Sequence, residues 1–271
     1  MNEYIEIEFE KVSPGQKDIL IARLSDAGFE GFEELDHTLK AYISASNYND
    51  PLLKEIAGEQ HISFATKTIG ETNWNELWES NFEPVMIDDF VAVRADFHQP
   101  IKNAAFEVVI TPKMSFGTGH HATTFMMIRQ MHEIPFTGKT TLDFGTGTGV
   151  LAILAEKLGA RKIVAIDNDD WAIENATENF RNNNCNSIEL RKALSPGTGE
   201  TFDIILANIN KNVILDNFSV LVTQLAPGGI LLLSGLLQED EDVVFRRIAE
   251  YSLHMIQTTV RDNWLCLRIS C

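Results

Sequence analysis

The chain has 271 residues, 44% hydrophobic and 23% charged, with a formal net charge of −17. This is the composition of a globular protein with room for two domains, not of a disordered or fibrous chain. No apolar run approaches the ~18 residues of a membrane span, and the acidic, alternating start "MNEYIEIEFE" is not that of a signal peptide, so a cytoplasmic location is expected.

In chain order, Ile5, Ile7 and Phe9 alternate as a half-buried strand does. The stretch "SPGQKDILIARLSDAG" then offers Ser13 as a helix N-cap, Pro14 at the first helical position and Gly28 as the stop. "FEELD" and "LKAYIS" read as a strand pair, "DPLLKEIAGE" as a helix capped by Asp50, and "SFATKTI" as a last strand. The order βαββαβ predicts a small ferredoxin-like α+β domain over residues 1–70. Trp74, Leu77 and Trp78 recur at helical spacing before Pro84 and predict a linker helix over 71–84. From about residue 139 strands and helices alternate: "TTLDFG", "GVLAILAEKLG", "KIVAIDND", "WAIENATENFRNN", "FDIILANI", a helix to Leu225, and "GGILLLSGLL". Continuous apolar strands of this kind are covered on both faces, which predicts an α/β domain over 85–271 with a doubly wound, mostly parallel sheet. The tail alternates around Arg261, Asp262 and Asn263 as a closing antiparallel hairpin.

Charge is unevenly spread. Residues 1–84 hold 17 Asp and Glu against 6 Lys and Arg, a balance of −11, while residues 85–271 hold 22 against 16. An acidic face repels nucleic-acid phosphates and can steer a basic protein partner, or it serves solubility alone. Cys185, Cys266 and Cys271 show no C-x-x-C spacing, so neither a disulfide framework nor a zinc knuckle is expected.

The chemistry concentrates in three motifs. "LDFGTGTGVLAI" puts Gly145, Gly147 and Gly149 between a strand and a helix, where a ligand can approach the backbone. The dinucleotide fingerprint G-x-G-x-x-G would need glycine at Val150, so NAD fits poorly. Asp167, ending the next strand, can accept from both hydroxyls of a ribose, and together these features indicate an adenosine-containing cofactor. "FTGKT" at 136–140 lacks the earlier glycine of a phosphate loop, because position 133 is Glu133. Asn208, after "DIILA", either sits in the crevice at a strand's carboxyl end or caps the following helix, as Asn210 also could. The third motif, "SFGTGHHATT" at 115–124, is too poor in core residues to exist for packing. It reads as a glycine-hinged loop over a ligand, with Thr123 and Thr124 hydroxyls directed inward. Its adjacent histidines point different ways and no metal is expected; His121 or water takes up any released proton.

The set "SFGTGHHATT", "LDFGTGTG", "AIDND" and "LANI", behind an acidic βαββαβ segment and "WNELWESNFEP", resembles the ribosomal protein L11 methyltransferases over essentially the whole chain. The resemblance implies a Rossmann-like methyltransferase domain using S-adenosylmethionine (AdoMet), with an N-terminal domain that grips ribosomal protein L11. It implies methylation of the L11 N-terminal amine and lysine side chains. It also implies AdoMet binding by Thr124, Gly145, Asp167 and Asn208, joined by Gly147 from the same loop. Asn208 and Thr123 are the expected catalytic residues. No direct nucleic-acid binding and a monomer are expected. Family members often carry proline where this chain has Asp170 and Ala122. The rival readings are an AdoMet enzyme acting on another protein or on nucleic acid, and a non-catalytic AdoMet-binding module. "ANIN" lacks the N-P-P-[YF] signature of enzymes that clamp a planar amide or base.

Overall fold

The computed structural model describes residues 4–69, 82–112, 117 and 119–271, and the chain divides into two compact units, Met1–Asn81 and Phe82–Cys271. The predicted linker helix with Trp74, Leu77 and Trp78 lies outside the described residues, as do Ser115, Phe116 and Thr118.

The first unit runs β1 (Tyr4–Glu10), α1 (Pro14–Asp26), β2 (Gly31–Leu35), β3 (Thr38–Ser44), α2 (Asp50–Glu59) and β4 (Phe64–Ile69). Its antiparallel sheet has the order β2-β3-β1-β4, the ferredoxin-like arrangement read from the sequence. In β1 Ile7 and Phe9 are fully buried, alongside Leu20 and Leu24 of α1 and Leu39 of β3, while Ile5 is half-buried and Glu6 is buried, accepting from the Tyr42 hydroxyl. Fully burying each such side chain stabilises by roughly 1.5 to 3 kcal/mol. Ser13 caps α1, its backbone N–H donating to Gln16 Oε1 at 3.1 Å, and Pro14 follows at the first helical position. The cap of α2 is one residue earlier than expected. Asn49 Oδ1 accepts from the Leu52 N–H at 3.2 Å, while Asp50 starts the helix and pairs with Lys54 one turn on, at 2.7 Å. Asn and Asp cap equally well, so composition could not separate them.

The second unit opens with a three-stranded sheet, β5 (Val85–Ile87), β6 (Val91–Ala95) and β7 (Phe106–Ile110), in the order β5-β6-β7. None of these strands was expected, although "VAVRA" and "FEVVI" are rich in β-branched residues. The loop between β6 and β7 is stapled by Arg94. Its guanidinium donates to the carbonyls of Ala95 at 2.8 Å and His98 at 3.0 Å, and pairs with Glu107, Nη2 to Oε2 at 2.9 Å.

Then come α3 (Ala122–Met131), β8 (Thr140–Phe144), α4 (Val150–Lys157), β9 (Lys162–Asp167), α5 (Asp170–Asn182), β10 (Ile188–Lys192), β11 (Phe202–Asn208), α6 (Lys211–Thr223), β12 (Leu225–Leu237), α7 (Glu241–Ala249), β13 (His254–Arg261) and β14 (Trp264–Ser270). They build a seven-stranded sheet of order β10-β9-β8-β11-β12-β14-β13, parallel except at β14. This is a Rossmann-like, doubly wound α/β fold, and its strand order reverses between β8 and β11, where such sheets open a ligand crevice. The apolar runs of β11 and β12 are buried, with Ile205, Leu206, Ala207, Leu231, Leu232 and Leu233 fully inaccessible. Strand β10, "IELRK", and helix α7 were not foreseen. The strand is a charged edge that, among the described residues, pairs only with β9, so it has no buried face to reveal it. The hairpin around Asp262 and Asn263 is present, both residues having positive φ, as a tight two-residue turn needs. Among the described residues no helix is long and apolar enough to cross a membrane.

The stretch 115–124 is not a single loop: Ala122, Thr123 and Thr124 form the first turn of α3, with His121 as its N-cap. The next residues, "FMMIRQM", bury Met126, Met127, Ile128 and Met131, so the two threonines are held by a packed helix.

Candidate functional site

The glycine loop is set at the carboxyl end of β8 by backbone geometry. Gly145, Gly147 and Gly149 all have positive φ, which side chains with a Cβ resist. Loop amides are anchored on the neighbouring strand: the Gly145 and Thr146 N–H groups both donate to the Ile166 carbonyl, at 2.8 and 3.0 Å. Val150, the residue that breaks the dinucleotide fingerprint, is the buried first residue of α4.

Asp167 ends β9 with a carboxylate already oriented. Its Oδ2 accepts from the Gly147 N–H at 2.9 Å, and its Oδ1 accepts from the N–H groups of Asn168 and Asp169 at 2.8 and 3.1 Å. Those three amides fix the carboxylate plane relative to the glycine loop, and Oδ2, which accepts one of them, keeps acceptor capacity. Asp169 caps α5 and Asp170 is its first residue. Asp170 and Ala122 are thus both first helical positions, where proline would be tolerated but is not required. At the same edge of the sheet, Trp171 and Leu194 leave large apolar side chains exposed.

Asn208 is the last residue of β11, not a cap. The cap of α6 is Asn210, whose Oδ1 accepts from the Val213 N–H at 3.0 Å. Asn208 instead donates from Nδ2 to Thr124 Oγ1 at 3.1 Å, across 84 residues of chain. That bond turns the amide oxygen away from Thr124, and no partner for it is found among the described residues. The strand end is held in place by Ile209. A Cβ on Gly145 would strike the Ile209 side chain, and a Cβ on Gly235 would strike its backbone. Gly235 is also where the β12 register shifts, between Ser234 and Leu236. Gly145 therefore serves packing as well as the open loop.

His121 caps α3 and Thr123 precedes Thr124 in its first turn. His121 Nδ1 and Thr123 Oγ1 are 2.8 Å apart, and the His121 ring meets the Trp264 ring edge-on at 4.7 Å. The surrounding protein pushes the His121 pKa down to about 4, only partly opposed by the Asp262 carboxylate. The imidazole is neutral at physiological pH. His120 points elsewhere, against Phe82 at 4.9 Å. Among the described residues no group of three His, Cys, Asp or Glu side chains could hold a metal ion. The wall behind α3 is the β13–β14 hairpin: Arg261 lies 3.8 Å over the Phe125 ring, and Gln130 Nε2 donates to Thr259 Oγ1 at 3.0 Å.

Asp143, within the motif "LDFGTGTG", carries a second carboxylate near the glycine loop. It is fully buried in β8, Thr146 Oγ1 donates to its Oδ2 at 2.6 Å, and Oδ1 has no hydrogen-bond partner among the described residues. Burial, with the Asp167 charge adding to it, raises its carboxyl pKa to about 7. The signal was present: a carboxylate inside the apolar run "TTLDF" cannot be there for packing.

So the fold brings Thr124 and Asn208 into contact, ties Asp167 to Gly147, and packs Gly145 against Ile209. A family model described as ribosomal protein L11 methyltransferase matches residues 11–270. A protein of that name from Porphyromonas gingivalis is 40% identical over 261 residues, covering 93% of this chain and 90% of that protein. Another, from Chlorobaculum tepidum, is 39% identical over 276 residues, covering 97% and 94%. The crystal structure of ribosomal protein L11 methylase from Lactobacillus delbrueckii subsp. bulgaricus superposes with a TM-score of 0.65 at 28% identity, over 70% of this chain and 98% of that one.

Proposed function

Because this chain belongs to the ribosomal protein L11 methyltransferase family and is an AdoMet-dependent methyltransferase, we propose that it methylates ribosomal protein L11, on the N-terminal α-amine and on lysine ε-amines. The observation that carries the reading is the Asn208–Thr124 hydrogen bond at the end of β11, beside the switch point.

The cofactor supplies an electrophilic methyl on a sulfonium. The protein's task is to position two partners and to present a neutral nitrogen. Gly145 and Gly147 offer open backbone, Asp167 offers a pre-oriented acceptor for the ribose hydroxyls, and Trp171 and Leu194 offer apolar surface at the rim. Thr124 and Asn208 close the site on the side where the amine arrives, with Thr123 beside them. The Asn208 amide oxygen accepts an N–H from the amine and aims its lone pair. A carboxylate there would hold the nitrogen protonated. Deprotonating a lysine amine at pH 7 costs about 4.6 kcal/mol, but an α-amine only about 1 kcal/mol, so the terminal amine is the easier target. With its pKa near 4, His121 is a weak base, and its part is to orient the Thr123 hydroxyl while the released proton goes to water.

The acidic N-terminal stretch, residues 1–84 with a balance of −11, is the gripping surface for basic patches of L11. The enzyme acts as a cytoplasmic monomer without direct nucleic-acid contact. The test is methyl transfer from labelled AdoMet into purified ribosomal proteins, with the intact mass of L11 followed in steps of one methyl. Label in another ribosomal protein, or in RNA, with none in L11 would overturn the reading.

A further inference from the structure

Thr148 lies inside the glycine loop yet is fully buried. Its hydroxyl points out of the loop and donates to the Gly117 carbonyl at 2.8 Å. Gly117 answers to this contact. It has φ of 104°, and a Cβ there would sit 2.6 Å from Thr148 Oγ1, so the backbone approaches as closely as it does because residue 117 has no side chain. The Thr148 carbonyl is held in turn by Asn179 of α5. Asn179 Nδ2 donates to it at 2.8 Å and to Asn175 Oδ1 at 2.9 Å, while Asn179 Oδ1 accepts from the Thr111 N–H at 2.7 Å. Thr111 and Gly117 flank positions 113–116, and both flanks are thus tied to one buried network through Thr148 and Asn179.

We propose that Thr148 is a positioning residue for methyl transfer: its hydroxyl sets the register between the glycine loop and Gly117, which precedes the α3 turn that carries Thr123 and Thr124. This rests on the assignment of that loop to AdoMet. One end of the network belongs to the loop that holds the methyl donor. The other belongs to the segment that reaches Asn208 through Thr124, where the amine is received. A buried, mutually satisfied network transmits position with little slack, and a small misplacement of donor and acceptor costs rate more than affinity. Asn208 and Asp167 touch the bound molecules, whereas Thr148 acts through Gly117.

The test is Thr148→Val, which keeps shape and deletes the hydroxyl. The single-turnover rate on L11 at saturating AdoMet is expected to fall about five- to tenfold, the value of one buried hydrogen bond. The AdoMet dissociation constant measured by calorimetry should stay within about twofold, since the loop's backbone contacts are unchanged. Thr148→Ser, which restores the donor, should recover the rate. A wild-type rate in Thr148→Val, a loss confined to AdoMet affinity, or a loss that serine does not rescue would each overturn the proposal. If the valine variant does not fold, Thr148→Ala carries the same expectation, and failure of both to fold would make the residue structural and end the proposal. Asp167→Ala, run in parallel, separates the two levels. Unchanged AdoMet binding there would remove the site assignment itself, whatever Thr148 does.

Discussion

The amide of Asn208 and the hydroxyl of Thr124 meet at 3.1 Å, joining the end of β11 to the first turn of α3. The same strand end passes Ile209 between Gly145 and Gly235 before Asn210 caps α6. Two asparagines two residues apart therefore have separable roles.

Asn208→Asp should leave the thermal melt close to wild type, because the helix cap is Asn210. It should slow methylation most at low pH, with partial recovery as pH rises and the amine loses its proton. Asn210→Ala should do the reverse, costing about 1 kcal/mol of stability with the rate per folded molecule unchanged. A single-turnover pH series from 6.5 to 9 beside thermal melts decides between them. Wild-type rates for Asn208→Asp throughout would return that residue to a structural role.

If Asp167 receives the ribose diol as proposed, Asp167→Ala removes that acceptor and also frees the amides of Gly147, Asn168 and Asp169. A charge-assisted hydrogen bond is worth about 1.5 to 3 kcal/mol, so AdoMet affinity should fall at least about tenfold. Calorimetry reads this directly, and Asp167→Asn, which keeps one acceptor oxygen, should fall between the two.

The raised pKa of Asp143 makes stability pH-dependent in a definite direction. Its carboxyl moves from 3.8 to about 7 on folding, so the native state binds the proton more tightly than the unfolded chain. The group carries no penalty below about pH 4, and the penalty grows as pH rises toward 7, to on the order of 4 kcal/mol. Asp143→Asn keeps the shape and an acceptor for Thr146. Chemical denaturation at pH 5 and pH 8 should show the variant gaining on the wild type at the higher pH. Parallel curves would mean that Asp143 is ordinary.

If the acidic first unit steers L11, kcat/KM for L11 should fall with added salt while AdoMet affinity changes little. Stopped-flow or initial-rate measurements between low and physiological ionic strength check this, and a flat salt dependence would assign the −11 balance of residues 1–84 to solubility alone.

What the amino-acid sequence determined by itself is what neighbours in the chain decide. Ser13 with Pro14 starts α1, the period of two in β1 buries Ile7 and Phe9, and the turn at Asp262 and Asn263 closes the last hairpin. The apolar runs of β8, β9, β11 and β12 require cover on both faces, and the glycines between β8 and α4 require an open loop. Each follows from periodicity, capping or backbone sterics within a few residues. The tertiary structure alone decided the rest, because each of those facts depends on a partner distant in sequence or on the local dielectric. Asn208 is a bridge rather than a cap because Thr124, 84 positions away, comes to lie opposite it. The charged strand β10 exists because β9 offers it an edge, and the amides of Val109 in β7 and of Thr111 just after it are met by Asn183 and Asn179 of the distant segment around α5. His121 is neutral because packing removed water from it, which no residue type or spacing encodes, and although the run "TTLDF" marks Asp143 as out of place, the size of its pKa rise is set by burial and by Asp167 nearby.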